Sequence, residues 1–364
     1  MIKKKIIIAS GGTGGHVFPA CSLANYLIKE NFDVKLTTDK RGLEYLKDYK
    51  ILDLVVIPST SLNKKNILKL FSSIILIILS IFKSFLFLIN NRPSIIFGMG
   101  GYSSFPICLA AKILGIKFII YENNMVIGKA NKYLLPLANK IFVSYKELQG
   151  ISKKYEGKVV EIGNLVREEI INFKSNQSSF DKFDEIKILT LGGSQGAKIF
   201  ADVLPQIFAM LNNSGIPIKV YQQCKKEQNN QLSDFYEKNG INFEIFNFTN
   251  QITDYYSKTN LVITRSGASV LGELINFNIP FISIPLPSSA DDHQYKNAEF
   301  YHKKGYGYLV EEKDINNKLY DLIKLIFKNK SLIKEMLSKQ KQYSDKNIFK
   351  NLNEEIKKSL NEKN

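Results

Sequence analysis

Cysteine is scarce in this chain of 364 residues, which contains only Cys21, Cys108 and Cys224. Their odd number and wide spacing exclude a disulfide scaffold and a cysteine zinc cluster, and are typical of a reducing compartment. A signal peptide is not expected, because the apolar run after Lys5 ends at Ser10. With 45% hydrophobic and 23% charged residues, the composition predicts two folded domains and excludes a disordered chain.

Acidic residues are few relative to basic ones. The chain has 50 Lys and Arg against 34 Asp and Glu, a net charge of +16. Residues 1–170 contain 24 basic and 12 acidic residues, so this part alone carries +12. Such an excess indicates an anionic partner, namely nucleic acid, an anionic membrane face or a phosphorylated substrate. The alternative is that lysine is simply common throughout the chain.

No apolar run is long enough to predict a membrane-spanning helix, which needs about 20 apolar residues. The longest uninterrupted run, residues 70–82, has 13 residues that include three serines. We therefore predict a buried or interfacial helix. The lysines that flank this run are Lys64, Lys65, Lys69 and Lys83. An apolar patch ringed by lysines favours attachment to one face of an anionic membrane.

Short apolar runs rich in β-branched residues alternate with helical patterns. In the first half, strands are predicted at 5–9, 34–37, 54–57, 94–97, 118–121 and 141–144. The pattern restarts after a polar linker at 172–185, with strands at 186–191, 218–221, 243–246, 261–264 and 281–284. This βαβ alternation predicts an α/β protein with two Rossmann-like, doubly wound domains.

Each half opens with a glycine-rich turn between a strand and a helix, at residues 11–16 (GGTGGH) and 192–197 (GGSQGA). Glycines let the backbone approach a ligand closely, and a helix N-terminus favours an anion. Val17 occupies the place of the third glycine of a dinucleotide-binding turn, and no GK[ST] follows to make a Walker P-loop. A phosphate-bearing ligand is predicted in both turns, with a plain structural turn as the alternative.

Other candidate ligand-binding residues follow later strands. Arg167 could bind a phosphate through two parallel hydrogen bonds. Glu273 could accept hydrogen bonds from ribose hydroxyls or simply stabilise a helix N-terminus. Gln294 and Asn297 share a helix face and could recognise sugar hydroxyls. A metal site at residues 291–293 is disfavoured, because adjacent side chains on a helix point apart, and no D-x-D motif is present.

Together these segments resemble the MurG family of bacterial glycosyltransferases. The matching segments, in the family's order, are GGTGGHVFPA at 11, GMGGYSS at 98, YENNMVIGKANK at 121, GNLVR at 163, LGGSQGAK at 191, RSGASVLGE at 265 and DHQYKNA at 292. The resemblance implies a GT-B fold, with two Rossmann-like domains and the active site in the cleft between them. It implies an acceptor- and membrane-binding domain at 1–165 and a UDP-GlcNAc-binding domain at 166–344. A final helix at about 345–364 would pack back on the first domain.

The implied reaction transfers N-acetylglucosamine (GlcNAc) from UDP-GlcNAc to the C4 hydroxyl of MurNAc in lipid I, and makes lipid II. It would invert the anomeric carbon to a β-1,4 link, without metal or cofactor, at the cytoplasmic face of the membrane. Donor, acceptor and anionic membrane are the expected partners, and nucleic acid is not one. Alternatives are another GT-B sugar-nucleotide enzyme (a glycolipid synthase or epimerase), a nicotinamide-dependent oxidoreductase and a non-catalytic membrane adaptor.

The resemblance also implies roles for individual residues. Those expected to contact the donor sugar nucleotide are Thr13, Gly14, Gly15, Asn124, Arg167, Ser194, Thr249, Ala268, Ser269, Val270, Leu271, Gly272, Glu273 and Gln294. Within this set, Arg167 and Ser194 would bind the phosphates, Thr249 the uracil through its backbone, and Gln294 the sugar. His16 is the first candidate for the general base, because an imidazole pKa suits neutral pH; alternatively, it only orients the turn. Glu122 is the second candidate.

Overall fold

The computed structural model describes residues 3–46, 53–60, 66–173, 184–193, 198–249, 251–343, 345 and 347–361. The chain divides into two compact units. Unit 1 comprises Met1–Arg167 and Lys346–Asn364, and unit 2 comprises Glu168–Asp345. Most of the predicted linker at 172–185 lies outside the described residues.

Unit 1 is built on a parallel sheet with the strand order β3-β2-β1-β4-β5-β6-β7. Its strands are β1 Lys5–Ala9, β2 Asp33–Thr38, β3 Asp53–Val56, β4 Ile95–Gly98, β5 Phe118–Glu122, β6 Lys140–Val143 and β7 Val159–Glu161. Its helices before the boundary are α1 Gly14–Lys29, α2 Lys40–Leu43, α3 Ile67–Asn90, α4 Gly101–Ile113 and α5 Lys129–Leu134. The central strands are buried on both faces, as expected for continuous apolar runs in a parallel sheet.

Unit 2 repeats this architecture with the strand order β10-β9-β8-β11-β12-β13, again all parallel. Its strands are β8 Ile186–Leu191, β9 Ile218–Gln223, β10 Asn242–Phe246, β11 Leu261–Thr264, β12 Phe281–Ser283 and β13 Tyr308–Leu309. Its helices are α6 Glu168–Ile171, α7 Lys198–Asn213, α8 Asn229–Lys238, α9 Ile252–Lys258, α10 Ala268–Phe277, α11 His293–Lys303, α12 Tyr320–Lys328 and α13 Ser331–Gln342. The prediction of two doubly wound α/β domains is confirmed.

The strand order reverses beside the first strand of each unit. β1 pairs with both β2 and β4, and β8 pairs with both β9 and β11. In open α/β sheets, ligands bind beyond the carboxyl ends of the strands at this reversal, the topological switch point. Both glycine-rich turns predicted from the sequence directly follow the first strand of a unit, so both begin at a switch point.

The last helix, α14 (Ile348–Asn361), packs on the rest of unit 1. Ile348, Leu352 and Ile356 are buried at a spacing of four residues, which places them on one helix face. The ring of Phe349 stacks on Tyr26 with centroids 4.7 Å apart. Glu355 forms an ion pair with Lys140 at 3.2 Å. Residues near the end of the chain thus complete the outer layer of unit 1.

Helix α3 has its polar and apolar faces reversed relative to a helix on a water-exposed surface. Its buried residues are Ser73, Ser80, Ser84 and Leu88. Each of the three serine hydroxyls donates to the carbonyl oxygen one turn earlier, at 2.6 to 2.8 Å. Its exposed large apolar residues are Ile67, Leu68, Phe71, Ile74, Ile75, Ile78, Leu79, Phe82, Leu86 and Ile89. Within the described residues, α3 is the one helix long and apolar enough to cross a bilayer.

Candidate functional site

In unit 1, the turns that follow β1 and β4 touch each other. The amide of Met99 donates to the carbonyl of Ala9 at 2.8 Å. A Cβ atom on Gly101 would lie 3.3 Å from the carbonyl oxygen of Gly11, and one on Gly11 would lie 2.7 Å from Oγ of Ser103. Side chains at these two glycines would therefore push the turns apart, which explains why both turns are rich in glycine.

The imidazole of His16 lies against the turn after β4. A Cβ atom on Gly100 would lie 3.0 Å from Cε1 and 3.1 Å from Nδ1 of the His16 ring. Gly100 also has a φ of +86°, in the left-handed region that L-residues with side chains avoid. Its lack of a side chain leaves the space that the half-buried imidazole occupies. The structure thus places His16 at the switch point between β1 and β4.

Glu122, at the end of β5, is a buried carboxylate that holds the following loop. Its Oε1 accepts hydrogen bonds from the backbone and side-chain amides of Asn124, at 3.1 and 2.9 Å. Its Oε2 accepts from the backbone of Gly128 at 2.8 Å and from Nδ2 of Asn131 at 3.0 Å. Four donors on one carboxylate make Glu122 a fixed point for the loop. Its alternative role as a base stays a prediction.

The loop after β5 also contacts the first glycine-rich turn. Nδ2 of Asn123 donates to the carbonyl of Gly15 at 3.1 Å. Thr13 and Gly15 are exposed, whereas Gly14 is buried, and a Cβ atom there would lie 2.8 Å from the ring of Phe18. The structure therefore brings the unit 1 site residues other than Arg167 together around the ends of β1, β4 and β5. It adds Asn123, which the sequence analysis did not select.

Asp39, directly after β2, is a second residue that the sequence analysis missed. Its carboxylate accepts hydrogen bonds from the amides of Gly12 at 3.0 Å and Gly42 at 2.8 Å. Ser59 and Arg41 donate to its other oxygen, both at 2.7 Å. Burial opposes ionisation, but these donors outweigh it and hold the pKa of Asp39 below its ordinary value. The signal in the sequence was an Asp that follows a strand and precedes a glycine by three positions.

Arg167 ends unit 1, after a segment anchored by tyrosines. The amide of Leu165 donates to the hydroxyl of Tyr121 at 3.0 Å, and that hydroxyl donates to the carbonyl of Gly163 at 3.2 Å. Arg167 itself is half-buried. Its role in binding phosphate stays a prediction, and so does that of Ser194, which lies outside the described residues.

In unit 2, the buried side chain of Arg265 ties the ends of two strands together. Its Nη1 donates to the carbonyls of Ile284 and Pro285, both at 3.2 Å, and its Nη2 pairs with Glu312. The guanidinium carbon also lies 4.9 Å from the ring centroid of Phe200. The turn after β11 is thereby fixed to the turn after β12.

Gln294, on α11, bridges the same two turns. Its Oε1 accepts from the amide of Leu286 at 2.9 Å and from that of Ser266 at 3.3 Å. Asn297, one turn later, donates to the carbonyl of Ser266 at 3.1 Å. Because Oε1 already accepts two hydrogen bonds, a ligand would meet Gln294 through the donors on Nε2.

The predicted nucleotide-binding residues lie on the first turns of α10, just beyond β11. Ser269 and Val270 are partly exposed, whereas Ala268, Leu271, Gly272 and Glu273 are buried. Leu271 is completely buried, and its amide already donates to the carbonyl of Gly267 at 3.1 Å. Glu273 accepts a hydrogen bond from the hydroxyl of Tyr256 at 3.1 Å. Thr249, before α9, is half-buried and accepts from the amide of Gln251 at 3.0 Å.

Two parallel α/β units with glycine-rich turns at their switch points define the GT-B class of proteins. Family models match in both units: the glycosyltransferase family 28 N-terminal domain over residues 6–143 and its C-terminal domain over residues 187–354. A crystal structure of MurG from Acinetobacter baumannii has the same fold, with a TM-score of 0.79 and 24% identity. That superposition covers 98% of this chain and 100% of the other.

Full-length relatives narrow the class. A relative from Pelagibacter ubique is 37% identical, and the alignment covers 99% of this chain and 100% of the relative. A relative from Rickettsia felis is 35% identical, and the alignment covers 88% of this chain and 91% of the relative. Both are named UDP-N-acetylglucosamine–N-acetylmuramyl-(pentapeptide) pyrophosphoryl-undecaprenol N-acetylglucosamine transferase. The chain belongs to glycosyltransferase family 28 and, within it, to the MurG family.

Proposed function

We propose that this chain transfers GlcNAc from UDP-GlcNAc to the muramyl sugar of lipid I and so forms lipid II for peptidoglycan synthesis. The observation that carries this proposal is the likeness over the whole length to relatives named for that reaction. The switch-point residues of both units are consistent with it, since they combine turns suited to phosphates with polar side chains suited to sugar hydroxyls.

The two units would take different main roles, although Thr13, Gly14, Gly15, Asn124 and Arg167, which are also assigned to the donor, lie in unit 1. Unit 2 would bind UDP-GlcNAc, with Glu273 on the ribose, Gln294 on the sugar and the start of α10 near the diphosphate. Unit 1 would bind the lipid-linked acceptor. Support for this assignment comes from the positive charge of residues 1–170 and from the exposed apolar face of α3, both in unit 1.

The chemistry would be a single displacement. The C4 hydroxyl oxygen of the acceptor forms a bond to the anomeric carbon of GlcNAc as the bond from that carbon to the UDP oxygen breaks. The configuration inverts, which gives a β-1,4 link, and the hydroxyl proton passes to a general base. UDP leaves with increased negative charge, which Arg167, Ser194 and helix N-termini would stabilise without a metal ion.

His16 is the base that the geometry of unit 1 favours. It lies at the switch point, half-buried, on helix α1 and against the turn after β4. The four hydrogen bonds to Glu122 instead support a role in positioning the loop that carries Asn124. Neutral imidazole accepts a proton readily near pH 7, as the transfer from a sugar hydroxyl requires.

The exposed face of α3 would lie on the cytoplasmic surface of the membrane. Both ends of α3 lead into strands of the same sheet, β3 and β4, so the helix could not cross a bilayer without leaving that sheet. It would instead sink its apolar side chains into the interface, while Lys69 and Lys83 contact anionic headgroups. Lys64 and Lys65 lie outside the described residues.

The decisive experiment measures transfer of labelled GlcNAc from UDP-GlcNAc to a lipid I analogue, with product identification and with and without EDTA. Lipid II formed at an unchanged rate in EDTA is the expected result. UDP-ManNAc as the product would indicate an epimerase, and loss of activity in EDTA would contradict the metal-free reaction.

The role of His16 is tested by His16→Ala, with His302→Ala in unit 2 as the matched control. We expect a large loss of kcat only for the first variant. A near-normal kcat for His16→Ala at saturating acceptor would remove His16 from the base role.

A further inference from the structure

A buried tyrosine in unit 2 lies behind the carboxylate assigned to the ribose. The hydroxyl of Tyr256, on α9, donates to Oε2 of Glu273, on α10, at 3.1 Å. Tyr256 is 2% exposed and Glu273 is 9% exposed. A hydrogen bond to a charged acceptor in such a sheltered place is stronger than one in water.

The ring of Tyr256 is itself held in place. It packs against Phe277 at a centroid distance of 5.3 Å, and Phe277 stacks on Phe173 at 3.9 Å. A buried phenol packed against such a supported ring can move little, so its hydroxyl stays close to the carboxylate of Glu273. The carboxylate of Glu273 is therefore oriented from outside its own helix.

Helix α9 also links two parts of the predicted nucleotide site. It begins at Ile252, three residues after Thr249, the residue assigned to the uracil. Tyr256 lies one turn into α9, so a single short helix follows the base-recognition segment and carries the donor to Glu273.

From this geometry we propose that Tyr256 is a positioning residue that orients Glu273 for recognition of the ribose hydroxyls of the donor. The inference rests on the proposed function, because it takes a uridine nucleotide as the ligand of unit 2. Tyr256 would not touch the donor. It would set the plane of the Glu273 carboxylate, and thereby the discrimination between ribose and deoxyribose.

The chain offers a matched control on the same helix. The hydroxyl of Tyr255 donates to Oε1 of Glu244 at 2.7 Å, so Tyr255→Phe also removes a tyrosine–glutamate hydrogen bond from α9. Glu244 lies on β10, outside the predicted nucleotide site. Any general effect of such a bond on α9 should therefore appear in Tyr255→Phe as well.

The test compares binding of UDP, 2′-deoxy-UDP and 3′-deoxy-UDP to the full-length protein by calorimetry. The variants are Tyr256→Phe, Tyr255→Phe, Glu273→Gln and the Tyr256→Phe/Glu273→Gln double variant. We expect Tyr256→Phe to weaken UDP binding about fivefold and deoxy-UDP binding less, which narrows the preference for ribose. Tyr255→Phe should leave that preference unchanged. The double variant should keep the same preference for UDP over deoxy-UDP as Glu273→Gln alone, because both changes act on one interaction.

Each contrary outcome has its own meaning. Normal ribose preference in Tyr256→Phe, with a reduced preference in Glu273→Gln, would overturn the role of Tyr256 and leave the proposed function intact. A lower melting temperature of Tyr256→Phe with unchanged ribose preference would show a structural role only, and would also overturn it. Normal preference in Glu273→Gln would remove the ribose contact on which the inference depends. Failure of the unaltered protein to bind UDP would contradict the proposed function itself.

Discussion

Units 1 and 2 have the same parallel sheet core, but one outer helix of each unit differs in which side chains it exposes. Helix α7 of unit 2 buries its large apolar residues, among them Phe200, Leu204 and Phe208. Helix α3 of unit 1 buries serines and exposes ten large apolar residues. Helix α3 packs mainly on α4, another helix of the same unit, and turns its large apolar residues outward. The difference indicates that the outer face of unit 1 meets an apolar environment.

The units also differ in how their ligand-binding turns are held. In unit 1, the ionised carboxylate of Asp39 accepts from the first glycine-rich turn. In unit 2, the neutral amide of Gln294 accepts from the turn after β11. The same task of fixing a backbone amide is thus done by a charged group in one unit and by an uncharged group in the other. Four experiments would break or sharpen this comparison.

The largest effect is expected for Gly100→Ala in unit 1. A methyl group there would lie 3.0 Å from the imidazole of His16 and push the ring aside, and it would strain the backbone at a φ of +86°. We expect kcat to fall by at least ~100-fold, because a displaced His16 would lose the geometry that its proposed role as base requires. Binding of UDP, assigned to unit 2, should remain normal, as calorimetry would show.

The control is Gly115→Ala, where φ is +65° and the new Cβ atom meets no atom of the described residues within 4 Å. It also places a side chain at a positive φ, but without touching His16. Equal losses of kcat in both variants would show that backbone strain alone causes the effect and that the contact with His16 does not.

The next largest effect concerns the membrane face. In Ile75→Gln/Leu79→Gln, two exposed apolar side chains of α3 become polar. We expect the partition coefficient onto anionic vesicles to fall by about 30-fold, because less apolar surface enters the interface. Sedimentation with vesicles measures it. Met210→Gln, which alters an exposed residue of α7, should leave the partition coefficient unchanged. Equal effects in both units would contradict a membrane face confined to unit 1.

A smaller effect is expected for Gln294→Glu in unit 2. The glutamate keeps an acceptor oxygen for Leu286 and Ser266 but loses the N–H donors that would reach the sugar. We expect the KM for UDP-GlcNAc to rise by about tenfold and the KM for the acceptor to stay constant. Steady-state kinetics at varied donor would check this. An unchanged donor KM would leave Gln294 as a link between turns only.

The smallest effect is a pH dependence in unit 1. The pKa of Asp39 is lowered in the folded protein, so its stabilising contribution is complete above the ordinary carboxyl pKa of about 4. It disappears as the pH falls through the lowered value. We expect Asp39→Asn to cost about 1–2 kcal/mol at pH 6, and the difference from the unaltered protein to shrink below pH 4. Denaturant unfolding measures both. A difference constant down to pH 2 would show that ionisation does not matter.

Much of the fold could be predicted from local patterns, and the failures have a physical reason. β1 and β8 are apolar, β-branched and buried on both faces, so their sequences alone identify them. β7 and β13 were missed, because they have three and two residues and lie at sheet edges, where burial imposes little pattern. The length of α3 was also underestimated, because Lys83 ends the apolar run at 70–82, whereas the helix continues past it to 24 residues in all.

The candidate site shows the same limit. The glycine-rich turns, His16 and Gln294 could be selected from the sequence, because their motifs are contiguous. Tyr256 could not, since it acts on a residue 17 positions away through a contact that folding creates. Asp39 leaves a local signal, but its contact with Gly12, 27 positions away, is created only by folding.

Local patterns in the chain were enough to establish the two α/β units, the turns at their first strands and the resemblance to a glycosyltransferase family. Hydrophobic periodicity and glycine placement are local properties, so they can be recognised without coordinates. Folding was needed to show that α3 turns its serines inward, that Glu122 gathers four donors and that Tyr256 meets Glu273. These facts depend on which elements pack together, and residues distant in the chain become neighbours only when both sheets and their helices have assembled.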